Sequence, residues 1–440
     1  MGHFQLRTRN VCRQAQDYLC GLMQSAKRNM ERMAEVVSGS DEQVLQHFLS
    51  NSPWDERAVM DQVATETDAL LGGSEETALY IDESAIKKQG KHSVGVARQW
   101  NGRLGKVDNS QVGVFAALGR GHRVNLVDAR LYLPKEWTAD VKRCKAAKVP
   151  VAQQAFKTKI ELALEMVRRA RALGLRYAWI GVDGFYGQAP ELLRTLDTEG
   201  EVFMADIHSD QNVYLSDPAP YRPTAKSGRG RKPSHYQSKQ KPLIVAQWVK
   251  QQPASRWQRK TLRDTSKGRL VVDMLHQRVW LWDKKEAQGH CWHVVVRREV
   301  GSPTTIKYSL SNAAPATSIL KLAKMQAQRY WIERAFQDAK SHAGLAHYQA
   351  RNWHAWHRHM ALVMMAMLYM VEHREQLSKE FPMLSCYDIQ VMLANTLPNA
   401  QEDEQIILSQ MRRRHRKRLA ALQSALRKQN RQRRKVADVT

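Results

Sequence analysis

The chain has 440 residues, which is enough for two or three domains or for one core fold with insertions. Hydrophobic residues make up 43% of it, so wholesale disorder is excluded. The formal net charge of +26 calls for a polyanionic partner, either nucleic acid or an anionic membrane surface. The longest apolar run, residues 360–371, is too short to span a bilayer, so nucleic acid is favoured and no membrane is expected.

The first residues and the cysteines indicate the cellular compartment. Residues 1–7 contain no apolar signal core. The five cysteines are scattered, odd in number and without Cys-x-x-Cys spacing. We therefore expect reduced thiols in a cytoplasmic protein, not a disulfide framework or a cysteine zinc site.

Residues 1–75 are predicted to form a helical domain. Apolar residues recur at helical spacing over residues 11–37, and Ser40 or Asp41 can cap a second helix. A third helix ends at Gly72. A unit of this kind can place one helix in a DNA groove, or it can simply cover the next domain, and both interpretations stay open.

A mixed α/β domain is predicted over residues 76–210. Its first part shows the alternating or continuous apolar pattern of antiparallel strands with short connections, over residues 78–82, 93–100, 111–118 and 123–133. An amphipathic helix, a buried strand, a short helix and another strand follow over residues 156–173, 177–182, 190–196 and 202–207. The combination predicts a mixed sheet with helices over its faces.

A β-rich insertion is predicted over residues 211–315, with strands over residues 243–249, 270–275, 278–282, 291–296 and 306–310. Before them lies a loop with the basic residues Arg229, Arg231 and Lys232. That loop can follow DNA phosphates or a minor groove, or it can be an ordinary solvated loop. The five tryptophans of the insertion favour strand packing, with stacking of one of them on a base as the alternative.

Helices are predicted again over residues 316–346 and 353–372, within residues 316–400, which complete the α/β domain, and residues 401–440 form a basic tail. The second of these helices, over residues 353–372, begins with His354, His357 and His359. No cysteine or acid completes a zinc set there, so phosphate contact or packing is favoured. The tail is expected to form a helix on DNA or to become ordered only when DNA binds.

Three acids stand out as candidates for chemistry. Asp82 and Asp183 each end a predicted apolar strand, and such ends are where ligand sites collect in α/β sheets. Glu333 lies four residues after Arg329 and seven before Lys340, which places all three on one face of a helix. That face alone suits an ion-pair ladder as well as a metal ligand flanked by phosphate-binding cations. Asp82 and Asp183 at neighbouring strand ends would repel each other unless a cation lay between them. This favours the interpretation of Glu333 as a metal ligand, with Mg²⁺ or Mn²⁺ as the ion.

The chain resembles the DDE transposases of bacterial insertion sequences. Arg329, Glu333 and Lys340 match the last three positions of the signature Tyr, two residues, Arg, three residues, Glu, six residues, Lys. Gln326 replaces the signature Tyr. The chain is similar to the group named after insertion sequence seven-hundred-and-one, within the insertion-sequence-four superfamily, over about residues 10–375. The segments that carry this similarity are residues 80–84, 90–100, 181–187, 344–348 and 353–359.

The resemblance implies an RNase H-like fold with an insertion between the second Asp and the Glu. It implies that Asp82, Asp183 and Glu333 bind two Mg²⁺ ions, with Mn²⁺ able to substitute, and that Arg329 and Lys340 bind phosphate. The expected substrates are double-stranded DNA with terminal inverted repeats and target DNA, bound by a homodimer. Two alternatives remain: a structure-dependent nuclease of the same fold and a non-catalytic DNA-binding protein derived from a transposase.

Overall fold

The computed structural model describes residues 2–102, 104–223, 235–265, 268–300, 302–400 and 403–437. The predicted DNA-binding residues Arg229, Arg231 and Lys232 lie outside these ranges. Within the described ranges, no helix is both long enough and apolar enough to cross a membrane.

Four helices occupy the amino-terminal region: α1 (Cys12–Gln24), α2 (Met30–Val36), α3 (Glu42–Ser50) and α4 (Glu56–Leu71). The predicted helical stretch over residues 11–37 is two helices, because Asn29 starts α2 by accepting a hydrogen bond from the Arg32 amide at 3.0 Å. Asp41 caps α3 as predicted, and Asp55 caps α4 in the same way. Most of the buried apolar side chains of these helices belong to the core cluster that also contains the helix α13 (Trp353–Gln376).

The strands are β1 (Thr77–Lys87), β2 (Ala97–Asn101), β3 (Lys106–Arg120), β4 (Arg123–Leu131), β5 (Trp179–Val182), β6 (Phe203–Ile207), β7 (Asn212–Val213), β8 (Leu243–Ile244), β9 (Gln258–Thr265), β10 (Gly268–Leu281), β11 (His290–Glu299) and β12 (Ser302–Ser311). All except β7 and β8 belong to one large sheet with the order β2-β3-β1-β5-β6-β12-β11-β10-β9, and β4 also pairs with β3. β7 and β8 pair with each other.

The sheet combines antiparallel and parallel pairing in the predicted way. β1 is antiparallel to β3, and β3 to β4, whereas β5 is parallel to both β1 and β6. This mixed sheet is consistent with the RNase H-like fold of the DDE enzymes. β12 then pairs antiparallel with β6, so β12, β11, β10 and β9 extend the central sheet from the edge of β6.

The remaining helices are α5 (Lys135–Thr138), α6 (Val141–Ala146), α7 (Lys159–Ala172), α8 (Gly184–Gly187), α9 (Pro190–Thr198), α10 (Val245–Lys250), α11 (Ile319–Gln328), α12 (Tyr330–His342), α13 (Trp353–Gln376), α14 (Cys386–Thr396) and α15 (Glu404–Ala437). They cover both faces of the sheet, and β1 shows how its side chains divide between them. Leu79 and Ile81 belong to the core cluster that contains the buried face of α7. Ala78 and Tyr80 belong to the cluster that contains α12 and α13.

Several predictions for residues 211–315 were wrong. The predicted strand over residues 243–249 is mostly helix α10, because Val245, Trp248 and Val249 are buried at helical spacing. The two strands predicted over residues 270–275 and 278–282 are the single strand β10, which pairs with β11 without a break. β9 was not predicted, because this edge strand is mostly polar and charged and buries only Leu262.

The carboxy-terminal helices also differ in their limits. The helix predicted over residues 316–346 is divided into α11 and α12, with Arg329 between them. The tail contains the long basic helix α15, which forms ion pairs with α2. Arg414 Nη1 lies 3.2 Å from Glu35 Oε2, and Lys417 Nζ lies 3.1 Å from Glu31 Oε1.

Candidate active site

Three acids lie side by side where the parallel part of the sheet ends. In the pairing of β1 with β5, the last partners are Ile81 and Val182, and in that of β5 with β6 they are Val182 and Ala205. The next residue on each chain segment is an aspartate: Asp82, Asp183 and Asp206. Because the three positions share one register, their side chains project from the same face of the sheet.

Asp82 does not end its strand, contrary to the sequence prediction. β1 continues to Lys87 and stays paired with β3, where Asp82 lies opposite Phe115. The strand that ends beside Asp82 is its parallel neighbour β5, so Asp82 borders the opening beyond the end of β5. Asp82 therefore still lies beside the carboxyl end of a parallel strand, where ligand sites collect in α/β sheets.

Asp183 is the N-cap of α8. Its Oδ1 accepts hydrogen bonds from the backbone amides of Phe185 at 3.0 Å and Tyr186 at 3.3 Å. This short helix packs closely on β6, because a Cβ atom on Gly187 would lie 1.9 Å from the carbonyl oxygen of Asp206. Glycine at position 187 is therefore what allows α8 to hold Asp183 beside Asp206.

Glu333 reaches this edge from α12 through Arg329. The Nη2 atom of Arg329 donates to Glu333 Oε1 at 2.9 Å, the i, i+4 contact expected from the sequence. Nη1 of Arg329 lies 4.0 Å from Asp82 Oδ2. One guanidinium thus joins the predicted third acid to the first, although the Glu333 side chain remains 52% exposed and that of Arg329 only 11%.

The strongest contact of Arg329 is with Asp206, which the sequence analysis did not single out. Arg329 Nε donates to Asp206 Oδ2 at 2.6 Å, and the hydroxyl of Ser309 donates to the other oxygen, Oδ1, at 2.7 Å. Ser309 in turn accepts from Gln326 Nε2 at 2.8 Å. An acid within the otherwise apolar strand β6 was the signal that could have identified Asp206.

Burial and neighbouring charges shift the pKa values of the aspartates and of Arg329. Burial and, next, the carboxylate of Asp183 raise the pKa of Asp82 to about 8, against the opposing charge of Arg329. Burial also raises the pKa of Asp183, although its backbone hydrogen bonds and Arg329 oppose the change. Burial alone would lower the pKa of Arg329, but the charges of Asp206, Asp82 and Glu333 raise it above its usual range.

A buried tyrosine faces the same carboxylates. Tyr186 on α8 is fully buried, and its hydroxyl has no hydrogen-bond partner among the described residues. Burial, followed by the charges of Glu83, Asp82 and Asp183, raises its pKa well above the usual range. The hydroxyl is therefore a neutral donor close to an accumulation of negative charge.

The chemistry of Asp82 and Asp183 fits a hard divalent cation. Carboxylate oxygens are the ligands that Mg²⁺ and Mn²⁺ prefer, and a cation would favour the ionised forms that burial and the neighbouring carboxylates disfavour. Within the described part of the chain, no group of three or more His, Cys, Asp or Glu side chains lies close enough together to hold a metal ion. Glu333 is bonded to Arg329 and does not complete such a group in this arrangement.

The other candidate residues have mixed surroundings. Lys340 is half-buried, with its ammonium 5.7 Å from the centre of the Phe336 ring. His357 and His359 are buried and hydrogen bonded within the protein, whereas the imidazole of His354 lies 2.7 Å from Glu56. Among the five tryptophans of residues 211–315, Trp248 and Trp292 are buried, as packing in the core requires.

Comparison with known proteins gives two matches. A family model described as DDE superfamily endonuclease matches residues 3–269, a range that contains Asp82, Asp183 and Asp206 and ends before Glu333. A protein of Microchaete diplosiphon described as the probable transposase for insertion sequence element IS701 is 28% identical over 196 residues. The aligned region is 43% of this chain and 47% of the relative, so the match spans about half the length of that protein.

Proposed function

The chain belongs to the DDE superfamily of endonucleases, and from this premise we propose that it is a transposase that cuts DNA at the ends of a mobile element and joins them to target DNA. Endonucleases of this superfamily use divalent metal ions. The observation that carries the proposal is the alignment of Asp82 and Asp183 across two parallel strands, with Arg329 joining Asp82 to Glu333.

In this proposal Asp82 and Asp183 hold the metal, and Glu333 is the third ligand. The preferred ions are two Mg²⁺, for which Mn²⁺ would substitute, and when bound they would stabilise the charge that develops during in-line phosphoryl transfer. Asp183 is fixed in position by the two amides at the start of α8. Arg329 and Lys340 would bind the phosphates on either side of the cut bond.

Water would first attack the phosphodiester at the element end, and the freed 3′-hydroxyl would then attack target DNA. The Asp82 side chain is 14% exposed, and its limited contact with bulk water strengthens the charge interactions of this carboxylate. Since both ends must be held together for joining, we propose that a homodimer binds the terminal inverted repeats.

The rest of the chain would supply DNA affinity. We propose that residues 1–75 bind element ends and that residues 76–210 and 316–400 form the catalytic core around the insertion of residues 211–315. The basic tail of residues 401–440 and Arg229, Arg231 and Lys232 would contact phosphates. The exposed surface of α15 and the net charge of +26 support this part of the proposal.

The test uses the full chain and the DNA that flanks its gene, cut into fragments that contain any inverted repeats. With Mg²⁺ we expect cleavage at the repeat ends and products joined to a second DNA, and neither with EDTA. Asp183→Asn keeps the cap of α8 and Glu333→Gln keeps its size, so loss of cleavage in both would reflect lost metal ligands. Asp273→Asn is the matched control, because Asp273 accepts from Arg259 at 2.9 Å elsewhere in the sheet.

The outcomes separate the alternatives. Cleavage without joining would favour a nuclease of the same superfamily, which the description of the matched family as an endonuclease already allows. No cleavage with Mg²⁺ or Mn²⁺, but tight binding of the ends, would favour a non-catalytic DNA-binding protein. Full activity of Asp183→Asn and Glu333→Gln would remove both residues from the proposed metal site.

A further inference from the structure

Asp206 is the acid at this edge that no metal-ligand assignment uses. It lies level with Asp82 and Asp183, but both of its carboxylate oxygens are occupied by donors from the protein: Ser309 donates to Oδ1 and Arg329 to Oδ2. Its side chain is 18% exposed, and Arg329 is buried, so the ion pair is largely shielded from solvent. A charge-assisted hydrogen bond in such surroundings is stronger than the same contact at the surface.

The contact fixes the direction of the Arg329 guanidinium. Asp206 binds Nε, the nitrogen nearest the stem, which leaves Nη2 for Glu333 and turns Nη1 toward Asp82. The guanidinium is planar, so a donor fixed at Nε determines where the other two nitrogens point. The direction of the Glu333 side chain therefore depends on Asp206, which lies on strand β6 and contacts a different nitrogen of the same guanidinium.

The chain of hydrogen bonds continues away from the site. Ser309 accepts from Gln326 Nε2 at 2.8 Å, and the same nitrogen lies 3.3 Å from the Val295 carbonyl oxygen. Gln326 is 3% exposed, so it acts inside the protein. A buried chain of this kind holds its members in one geometry, because breaking any link leaves a buried polar group unpaired.

We propose that Asp206 is a positioning residue, held by Ser309 and Gln326, that aims Arg329 at Glu333 and keeps its guanidinium from closing onto Asp82. This inference rests on the proposed function only for its effect on DNA cleavage. Its effect on cation binding at Asp82 and Asp183 does not require that the substrate be known.

Asp206→Asn is the decisive variant. The amide oxygen of the variant can still accept from Arg329 Nε, and its NH₂ group can donate to the Ser309 hydroxyl, so Asp206→Asn removes the negative charge with little change in shape. Without that charge, Asp82 and Glu333 are the anionic partners that hold the guanidinium, and its closer approach to Asp82 would compete with a cation. We expect Mn²⁺ affinity, measured by electron paramagnetic resonance, to fall about tenfold, the effect of losing roughly one charge-assisted hydrogen bond.

For DNA cleavage with Mg²⁺, we expect kcat to fall about tenfold or more while KM changes less than about threefold, because Asp206 acts on the reacting groups through Arg329. Asp273→Asn is again the control, since it removes an acid that pairs with two arginines, Arg259 and Arg298, away from this site. A variant that matches Asp273→Asn in both kcat and Mn²⁺ affinity would overturn the inference.

Ser309→Ala tests the same chain if Asp206→Asn fails to fold. It leaves the ion pair of Asp206 with Arg329 but removes the hydroxyl that holds Asp206 Oδ1. We expect a loss of Mn²⁺ affinity of about threefold, because the hydroxyl acts on the cation site only through Asp206 and Arg329, and unchanged affinity overturns the inference. Mn²⁺ binding by a wild-type chain that cuts no DNA would refute the proposed function alone, whereas a wild-type chain that binds no Mn²⁺ overturns this inference.

Discussion

Replacing Arg329 with alanine should expose how much of the site depends on one cation. In the intact protein its guanidinium contacts Asp206 at 2.6 Å, Glu333 at 2.9 Å and Asp82 at 4.0 Å. Without it, Asp82, Asp183 and Asp206 remain together at the end of β5 with no cation among these contacts. Removal of one partner from a buried ion pair is costly because the other charge stays buried and uncompensated.

The magnitude follows from the exposure of each contact. The pair with Asp206 is the most shielded, and its loss should lower the free energy of unfolding by about 3 kcal/mol, the lower end for buried pairs. The pair with Glu333, whose side chain is 52% exposed, should add no more than about 0.5 kcal/mol. We therefore expect a total loss of about 3 to 3.5 kcal/mol for Arg329→Ala near pH 8 without divalent cations.

Urea unfolding followed by tryptophan fluorescence would measure the loss, with the first transition analysed if unfolding has several steps. Arg259→Ala is the matched control, because it removes a 2.9 Å pair with Asp273 in which the arginine side chain is 64% exposed, and it should cost less than about 1 kcal/mol. Millimolar Mg²⁺ should raise the free energy of unfolding of Arg329→Ala more than that of the wild type, because the guanidinium of Arg329 no longer competes for Asp82.

Equal stability of Arg329→Ala and Arg259→Ala near pH 8 would refute this reasoning. So would a deficit in Arg329→Ala that Mg²⁺ leaves unchanged, because Asp82, Asp183 and Glu333 would then not act as a cation site.

Two other predictions concern the same edge of the sheet. The pKa of Asp82 in the folded protein is raised to about 8, so this residue favours folding below its ordinary pKa and increasingly opposes folding as pH rises toward 8. Asp82→Asn should therefore gain stability relative to the wild type as pH rises over that range. Urea unfolding at several pH values without divalent cations would measure the difference, and a pH-independent difference would contradict the raised pKa. Gly187→Ala should lower the free energy of unfolding by about 1 to 3 kcal/mol, because its Cβ would lie 1.9 Å from the Asp206 carbonyl oxygen. Gly102→Ala is the control: its Cβ would meet nothing nearer than 3.9 Å, so the free energy of unfolding should change by less than about 0.5 kcal/mol. Equal effects of the two substitutions would show that α8 can move away from β6 without cost.

The parts of the site that depend on local spacing were predictable from the sequence. The contact of Arg329 with Glu333 is an i, i+4 pair, and the order of strands and helices around Asp183 follows from apolar periodicity. Asp206 was missed because its role depends on which strands are neighbours. Nothing within ten residues of Asp206 indicates that Ser309 and Arg329 will lie against it, since β12 joins β6 from more than 100 residues away.

The same distinction explains the errors in the insertion. The pattern of residues 243–249 is apolar enough for either a strand or a helix, and burial against the core selects α10. β9 is polar because it is an edge strand with water on one side, so its sequence has no alternating apolar signal. Sheet edges and short apolar segments are where composition alone does not determine structure.

The distribution of charge argues against a protein that only binds DNA. The chain as a whole carries a net charge of +26, yet Asp82, Asp206 and Glu333 lie within 4.0 Å of the Arg329 guanidinium, and Asp183 interacts with the same charge. The buried Arg297 adds a second positive charge near Asp206, so four ionised carboxylates still outnumber these two guanidinium groups and would repel a phosphate backbone. Burial already holds the pKa of Asp82 and that of Asp183 above their usual range. Such a centre weakens DNA binding unless cations occupy it, and cations held beside a phosphodiester are what phosphoryl transfer requires.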